Sequence, residues 1–276
     1  MKETIKLGHS PDSDDAFMFY AIAQGKISTD DFDFVHVIED IETLNKRALS
    51  KELEVTAISI HAYTKVFQDY ALLSCGASIG DKYGPMVVAQ SPMAVKDLKD
   101  KTIAIPGEMT TAYLTLRLLE RDFKAIVYPF NQIMEAVQSG KVDAGLIIHE
   151  GQLLYKQLGL HLVVDLGEWW YETEHLPLPL GANAIRRDLG EDKIRRIGGI
   201  LKESIQYALD HREDGLDYAM KYAGDMERRL ADQFVGMYVN DYTLDFGDKG
   251  REGVKRLLKK GYEEGVIEKD VTPEFY

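Results

Sequence analysis

The chain holds one cysteine, Cys75, in 276 residues. A single thiol closes no intrachain disulfide and builds no Cys-rich zinc site. Long hydrophobic runs are also missing: no apolar stretch approaches the ~20 residues a membrane helix needs, so no membrane partner is expected. Basic charge is scarce, with 33 Lys and Arg against 46 Asp and Glu and a formal net charge of −13 at pH 7. No basic stripe runs along the chain, which disfavours nucleic acid as a partner. The opening MKETIKLGHS has no apolar signal core and reads straight into a strand, so a cytoplasmic protein is expected. With this acidity, an anionic ligand would have to be held by local N–H donors rather than by the overall field.

What is present is enough for a sizeable core: 45% hydrophobic and 29% charged residues, the balance of an ordinary globular protein. Strand and helix patterns alternate from the start. ETIKLG reads as a strand and DDAFMFYAIAQG as a helix ending at Gly25. FDFVHVIE is a strand, and DIETLNKRALSK a helix opened by Asp40 as N-cap. VTAISI is a short buried strand followed by a helical turn or two in HAYTKVF, with further strands in YALLSCGAS and PMVVAQ. A second unit restarts at KDLKDKTIAIPG, continues through the amphipathic helix TTAYLTLRLLERDF, and ends on the strand LHLVVDLGEWW. From about residue 190 onward the pattern is helical only. This βαβ logic implies an α/β fold with largely parallel sheets. The expected domains are a large discontinuous lobe, 1–90 plus 181–276, and a small lobe, 91–180, with C-terminal helices. In such folds ligands bind beyond the carboxyl ends of strands, so the interlobe cleft is the expected site.

The stretch GHSPDSDDAFMFYA crowds charge into the first strand-to-helix turn. A nucleophile elbow fails there, because Asp12 stands where the final glycine belongs and Pro11 forces Ser10 to be extended. An EF-hand loop counted from Asp12 fails at Ala16 and Phe17. Acids at a helix start also have a plain structural role as caps. His9, Ser10 and Asp14 stay as candidate cleft contacts, with a purely structural His9 equally open. In GEMTTAYLTL, Thr110 and Thr111 open a helix at a strand end, a place where a carboxylate or phosphate meets free N–H groups. One threonine simply capping the helix is the alternative. In GLIIHE, His149 follows a buried run; the zincin pattern fails because Leu153 replaces the second histidine. If a helix begins there, its dipole disfavours imidazolium, and a neutral imidazole is a competent general base. A histidine that only caps or packs is the alternative. Ser59 closes VTAISI at another strand end, where its backbone could pair with a planar or carboxylate ligand. Trp169 and Trp170 read as hinge packing rather than as an aromatic wall for a ligand.

These stretches, together with VIEDIETLNKRAL, VTAISIHAY, GPMVVAQ and LPLPLGA in the same order, cover roughly residues 5 to 250. The chain thereby resembles the 1,4-dihydroxy-6-naphthoate synthases of the futalosine route to menaquinone. The resemblance implies a two-lobed type II periplasmic-binding-protein fold. It also implies a lyase acting on cyclic dehypoxanthinyl futalosine, an aromatic carboxylate, with no metal and no cofactor. By the same resemblance the proton-accepting base is His149, and substrate contacts fall on Ala57, Ile58, Ser59, Thr110 and Thr111. The opening turn departs from one common form of the family, PDSDD standing for PCPND, so ligation by Asp12 to Asp15 does not carry over. Two rival functions share the fold: chorismate dehydratase of the same route, and a non-catalytic binding protein for an aromatic carboxylate. Oligomeric state is not legible.

Overall fold

The computed structural model describes residues 2–224 and 226–276. Eleven strands form two sheets. The first holds β1 (Glu3–His9), β2 (Phe32–Ile38), β3 (Val55–Ser59), β4 (Tyr70–Leu72), β5 (Ser78–Gly80) and β11 (Leu178–Arg186). The second holds β6 (Met86–Ala89), β7 (Thr102–Ile105), β8 (Lys124–Val127), β9 (Ala144–Ile147) and β10 (His161–Asp165). The orders are β2-β1-β3-β11-β4, with β5 beside β11, and β10-β6-β9-β7-β8.

β1 pairs parallel with β2 and β3, as expected of βαβ units. β11 breaks that pattern. It returns from the second lobe and inserts antiparallel between β3 and β4. The second sheet is mixed too, since β6 runs antiparallel to both β9 and β10. The sheets are therefore less parallel than the sequence suggests, because each lobe receives one strand from a chain that has just crossed over. Two further expectations shift. PMVVAQ, grouped with the first unit, supplies β6, which lies between β10 and β9 in the second sheet. LHLVVDLGEWW is a strand only to Asp165. The carboxylate of Asp165 then accepts from the N–H groups of Gly167 (2.8 Å) and Glu168 (3.1 Å) and starts the helix Leu166–Glu174. The tryptophans ride on that helix.

The crossings are short and tightly packed. Tyr83–Gly84 lies against Gly167 so closely that a Cβ on Gly167 would meet the Tyr83 carbonyl oxygen at 1.9 Å. Trp170 is fully buried in a core that joins Ile58 and Leu72 of the first lobe to Ile103 and Leu114 of the second. That agrees with hinge packing. Glu174, at the end of the same helix, pairs with Arg256 at 2.5 Å and with Lys260, both on the C-terminal helix Gly247–Glu263. A second core lies on the other face of the first sheet. There Ile5, Leu7 and Phe17 meet Ile197, Leu201 and Ile205 of the helix Glu191–Asp210. Among the described residues no helix is long and apolar enough to cross a membrane.

Candidate active site

β1, β3, β7 and β9 all end on the same side, each feeding a turn and a helix. The cleft they border has a volume of about 780 Å3, counting its open mouth. It collects Ser10, Asp14, Ala57, Ile58, Ser59, Thr110 and Thr111 from three separate segments, all named from the sequence. Two named residues are placed otherwise. His9 turns away from the cleft: its Nδ1 bonds the Ser10 carbonyl (2.9 Å) and its Nε2 meets His36 Nδ1 (3.0 Å). With Nδ1 donating to that carbonyl, Nε2 must accept from His36, and both rings are neutral. Burial pushes each pKa down to about 4. His9 is a packed structural histidine beside Phe19. His149 is buried at the end of β9, edge-on to Phe130 with ring centroids 5.2 Å apart. It borders an adjoining pocket with Met134, Glu150 and Leu154, whereas its neighbour Ile148 lines the main cleft. Its Nδ1 has no partner among the described residues, and burial lowers its pKa to about 4.

One wall of the main cleft is the acidic turn. Asp12 occupies the N-cap position of the helix Ser13–Met18, yet its carboxylate makes no capping bond. Asp15 holds the turn by accepting from the Ser10 N–H at 2.6 Å. Asp12 and Asp14 are half-buried on the cleft side and find no cationic partner among the described residues. Burial first, then the neighbouring carboxylates, raises both well above the usual carboxylate range. Glu150 closes the wall by accepting from the Ser13 hydroxyl at 3.2 Å.

The threonine pair works differently from a pair of free hydroxyls. Thr110 caps the helix Thr111–Leu119, its Oγ1 accepting from Tyr113 N–H (3.2 Å) while donating to the Gly107 carbonyl (2.8 Å). The Thr111 hydroxyl donates to Leu180 O (2.5 Å) and accepts from His61 N–H (3.2 Å). What remains at the cleft are the N–H groups of Thr111 and Ala112, which find no acceptor among the described residues. Orphan N–H groups at a helix start suit an anionic oxygen. Across the cleft, Ser59 is held by Asn45, which accepts from its N–H (2.9 Å) and donates to its Oγ (3.0 Å). The Ser59 hydroxyl proton stays free to turn to a ligand. The sequence reading missed Asn45; the available signal was an asparagine in step with Leu44 and Ala48 on the buried side of its helix.

Several bonds span the lobes around the cleft. Glu42 accepts from Met109 N–H (3.3 Å), His61 donates to Thr111, and Tyr238 OH donates to Gln152 Oε1 (2.9 Å). Glu42 sits against Gly107, where a Cβ would come within 2.3 Å of its carboxyl group.

A two-lobed α/β protein with its ligand cleft at converging strand ends and an inserted antiparallel strand has the periplasmic-binding-protein fold. The alkanesulfonate-binding protein of Xanthomonas axonopodis pv. citri superposes with a TM-score of 0.74 at 11% identity, over 98% of this chain and 96% of its own. A family model described as menaquinone biosynthesis matches residues 5–263, and the chain belongs to that family. It is 40% identical to the 1,4-dihydroxy-6-naphthoate synthase of Thermus thermophilus over 99% of both chains. A crystal structure of an Archaeoglobus fulgidus protein matches at 47% identity and a TM-score of 0.92, covering 96% of this chain and 98% of the other.

Proposed function

We propose that the chain is a carbon–carbon lyase converting cyclic dehypoxanthinyl futalosine into 1,4-dihydroxy-6-naphthoate and a three-carbon fragment, dihydroxyacetone. One observation carries the reading: an interlobe cleft gathers Ser10, Ala57–Ser59, Thr110 and Thr111, and its lining residue Ile148 is next in the chain to His149, which borders the neighbouring pocket. The 40% identity to a synthase named for that product supports it.

In this reading the N–H groups of Thr111 and Ala112 hold the substrate carboxylate, and the strand end Ala57–Ser59 orients the ring. His149 removes a proton from the sugar-derived part. A retro-aldol-like fragmentation follows, driven by aromatisation of the ring that remains. Each step is a proton transfer or a carbon–carbon cleavage, so the proposal invokes no cofactor. The lobes exclude water and fix the reacting groups. The sugar-derived part lies toward the Asp12–Asp15 wall, since its hydroxyls can donate to carboxylates where an anionic carboxylate would be repelled.

General-base help is typically worth ~10²–10⁴ in rate. His149→Ala should lower kcat by at least that scale while product still binds. Near-wild-type turnover by the variant would remove His149 from the mechanism. Tight binding of 1,4-dihydroxy-6-naphthoate with no turnover of the cyclic substrate would favour a binding protein, the function of the fold relative above.

A further inference from the structure

Among the described residues, Asn183 is the one buried amide lining the cleft whose nitrogen has no partner. It sits on β11 opposite Ala57 of β3. Two residues further along β11, on the same face, Ile185 pairs with Val55, and there the sheet is wholly apolar. Asn183 therefore stands where the hydrophobic face gives way to the ligand space. It is 1% exposed and lines the cleft. Its backbone carbonyl is used, accepting from Leu73 N–H at 2.8 Å. Its side-chain Nδ2 is buried with no hydrogen-bond partner. Turning the carboxamide over about its last bond exchanges its two ends, and one polar end still lacks a partner.

The space for this amide is built. Gly76, at φ +78°, lies beneath it, and a Cβ there would fall 1.9 Å from Nδ2. A side chain at position 76 would thus push the amide out of its place. Buried polar groups without partners are rare because leaving one unsatisfied is costly, so a buried amide on a ligand cavity points to a partner that arrives with the ligand.

Resting on the function proposed above, we infer that Asn183 contacts the substrate, hydrogen-bonding a neutral carbonyl or hydroxyl oxygen on its ring system rather than its carboxylate. An amide offers one donor end and one acceptor end, which complements a neutral oxygen. The free N–H groups that suit an anion belong to the other lobe, at Thr111 and Ala112.

The test compares wild type with Asn183→Leu, which keeps the volume but removes both polar ends, and with Asn183→Asp, which keeps the shape but loses the donor. Turnover of cyclic dehypoxanthinyl futalosine and thermal melting are both read. Both variants should lose at least 10-fold in kcat/KM, while the unliganded Leu variant melts no lower than wild type. An asparagine needed only for structure would instead lower the melting temperature and leave kcat/KM of the folded fraction unchanged, and that result overturns the inference. So does wild-type kcat/KM in Asn183→Asp. If wild type itself fails to turn over the substrate, the function proposed above fails. Titration with 1,4-dihydroxy-6-naphthoate then decides separately: at least 10-fold weaker binding to the variants supports the contact, and unchanged or absent binding overturns it.

Discussion

His149 is neutral at physiological pH because burial holds its pKa at about 4. A neutral imidazole can accept a proton at once. The acid limb of kcat/KM should therefore stay flat below pH 6 and fall only near pH 4–5; a limb at 6.5 would mean a solvated histidine. The carboxyls opposite behave in the other direction. Asp14 has a folded pKa raised well above its ordinary value by burial and by Asp15, Asp12 and Glu150. In the unfolded chain it ionises near 3.8, so protonation favours the fold at low pH and that contribution is lost as pH rises through the folded pKa. At neutral pH, Asp14→Asn should raise stability by about 1 kcal/mol, the usual scale for relieving a strained functional position. The gain should shrink as pH falls toward 4; a loss in urea midpoint at pH 7 would contradict the burial argument. At this scale the sequence was legible where local pattern decides. Ser10, Ser59, Thr110 and Thr111 follow from strand ends and helix starts. His9 was not legible, because its direction is set by His36, 27 residues away on a neighbouring strand. Asn45 and Asn183 were hidden for the same reason: their roles depend on which segments pair.

Helices and strands between residues 3 and 90 form close to where periodicity places them. The cap Asp40 accepts from Thr43 N–H at 3.0 Å, as its position before an amphipathic run implies. Around residues 161–186 the sequence is hard to read for physical reasons. Asp165 ends a strand and starts a helix within one residue, and apolar periodicity does not mark that switch. β11 carries Pro179 and Gly181, residues that usually punctuate strands, and its pairing is shifted between them. Close backbone approach is equally invisible before folding. Gly167 offers the sharpest check, since the Tyr83 carbonyl that its Cβ would strike is backbone and cannot rotate away. Gly167→Ala should destabilise by about 1–3 kcal/mol, the typical cost of overpacking. An unchanged denaturant midpoint would show that the crossing packs more loosely than this.

Across the whole molecule the two lobes are joined by hydrogen bonds that ring the cleft: Ser13 to Glu150, Met109 to Glu42, His61 to Thr111 and Tyr238 to Gln152. A ligand seated between them contacts both lobes and adds its binding energy to the folded state. At a concentration of 100 Kd that is worth ~2.7 kcal/mol. For a chain of this size 1,4-dihydroxy-6-naphthoate should raise Tm by several degrees, on the order of 2–4 °C per kcal/mol. No shift would argue that the cleft does not hold this product. The two-lobed plan itself was legible from the restart of the βαβ pattern; the entry of β6 into the second sheet was not, since a short apolar strand carries no label for its partners.

The central claim is tested most directly by incubating the purified protein with cyclic dehypoxanthinyl futalosine and following products by mass spectrometry, with chorismate run alongside. The expected result is 1,4-dihydroxy-6-naphthoate and dihydroxyacetone in equal amounts from the first, and no loss of water from the second. Turnover of chorismate with the cyclic substrate left intact would contradict the account.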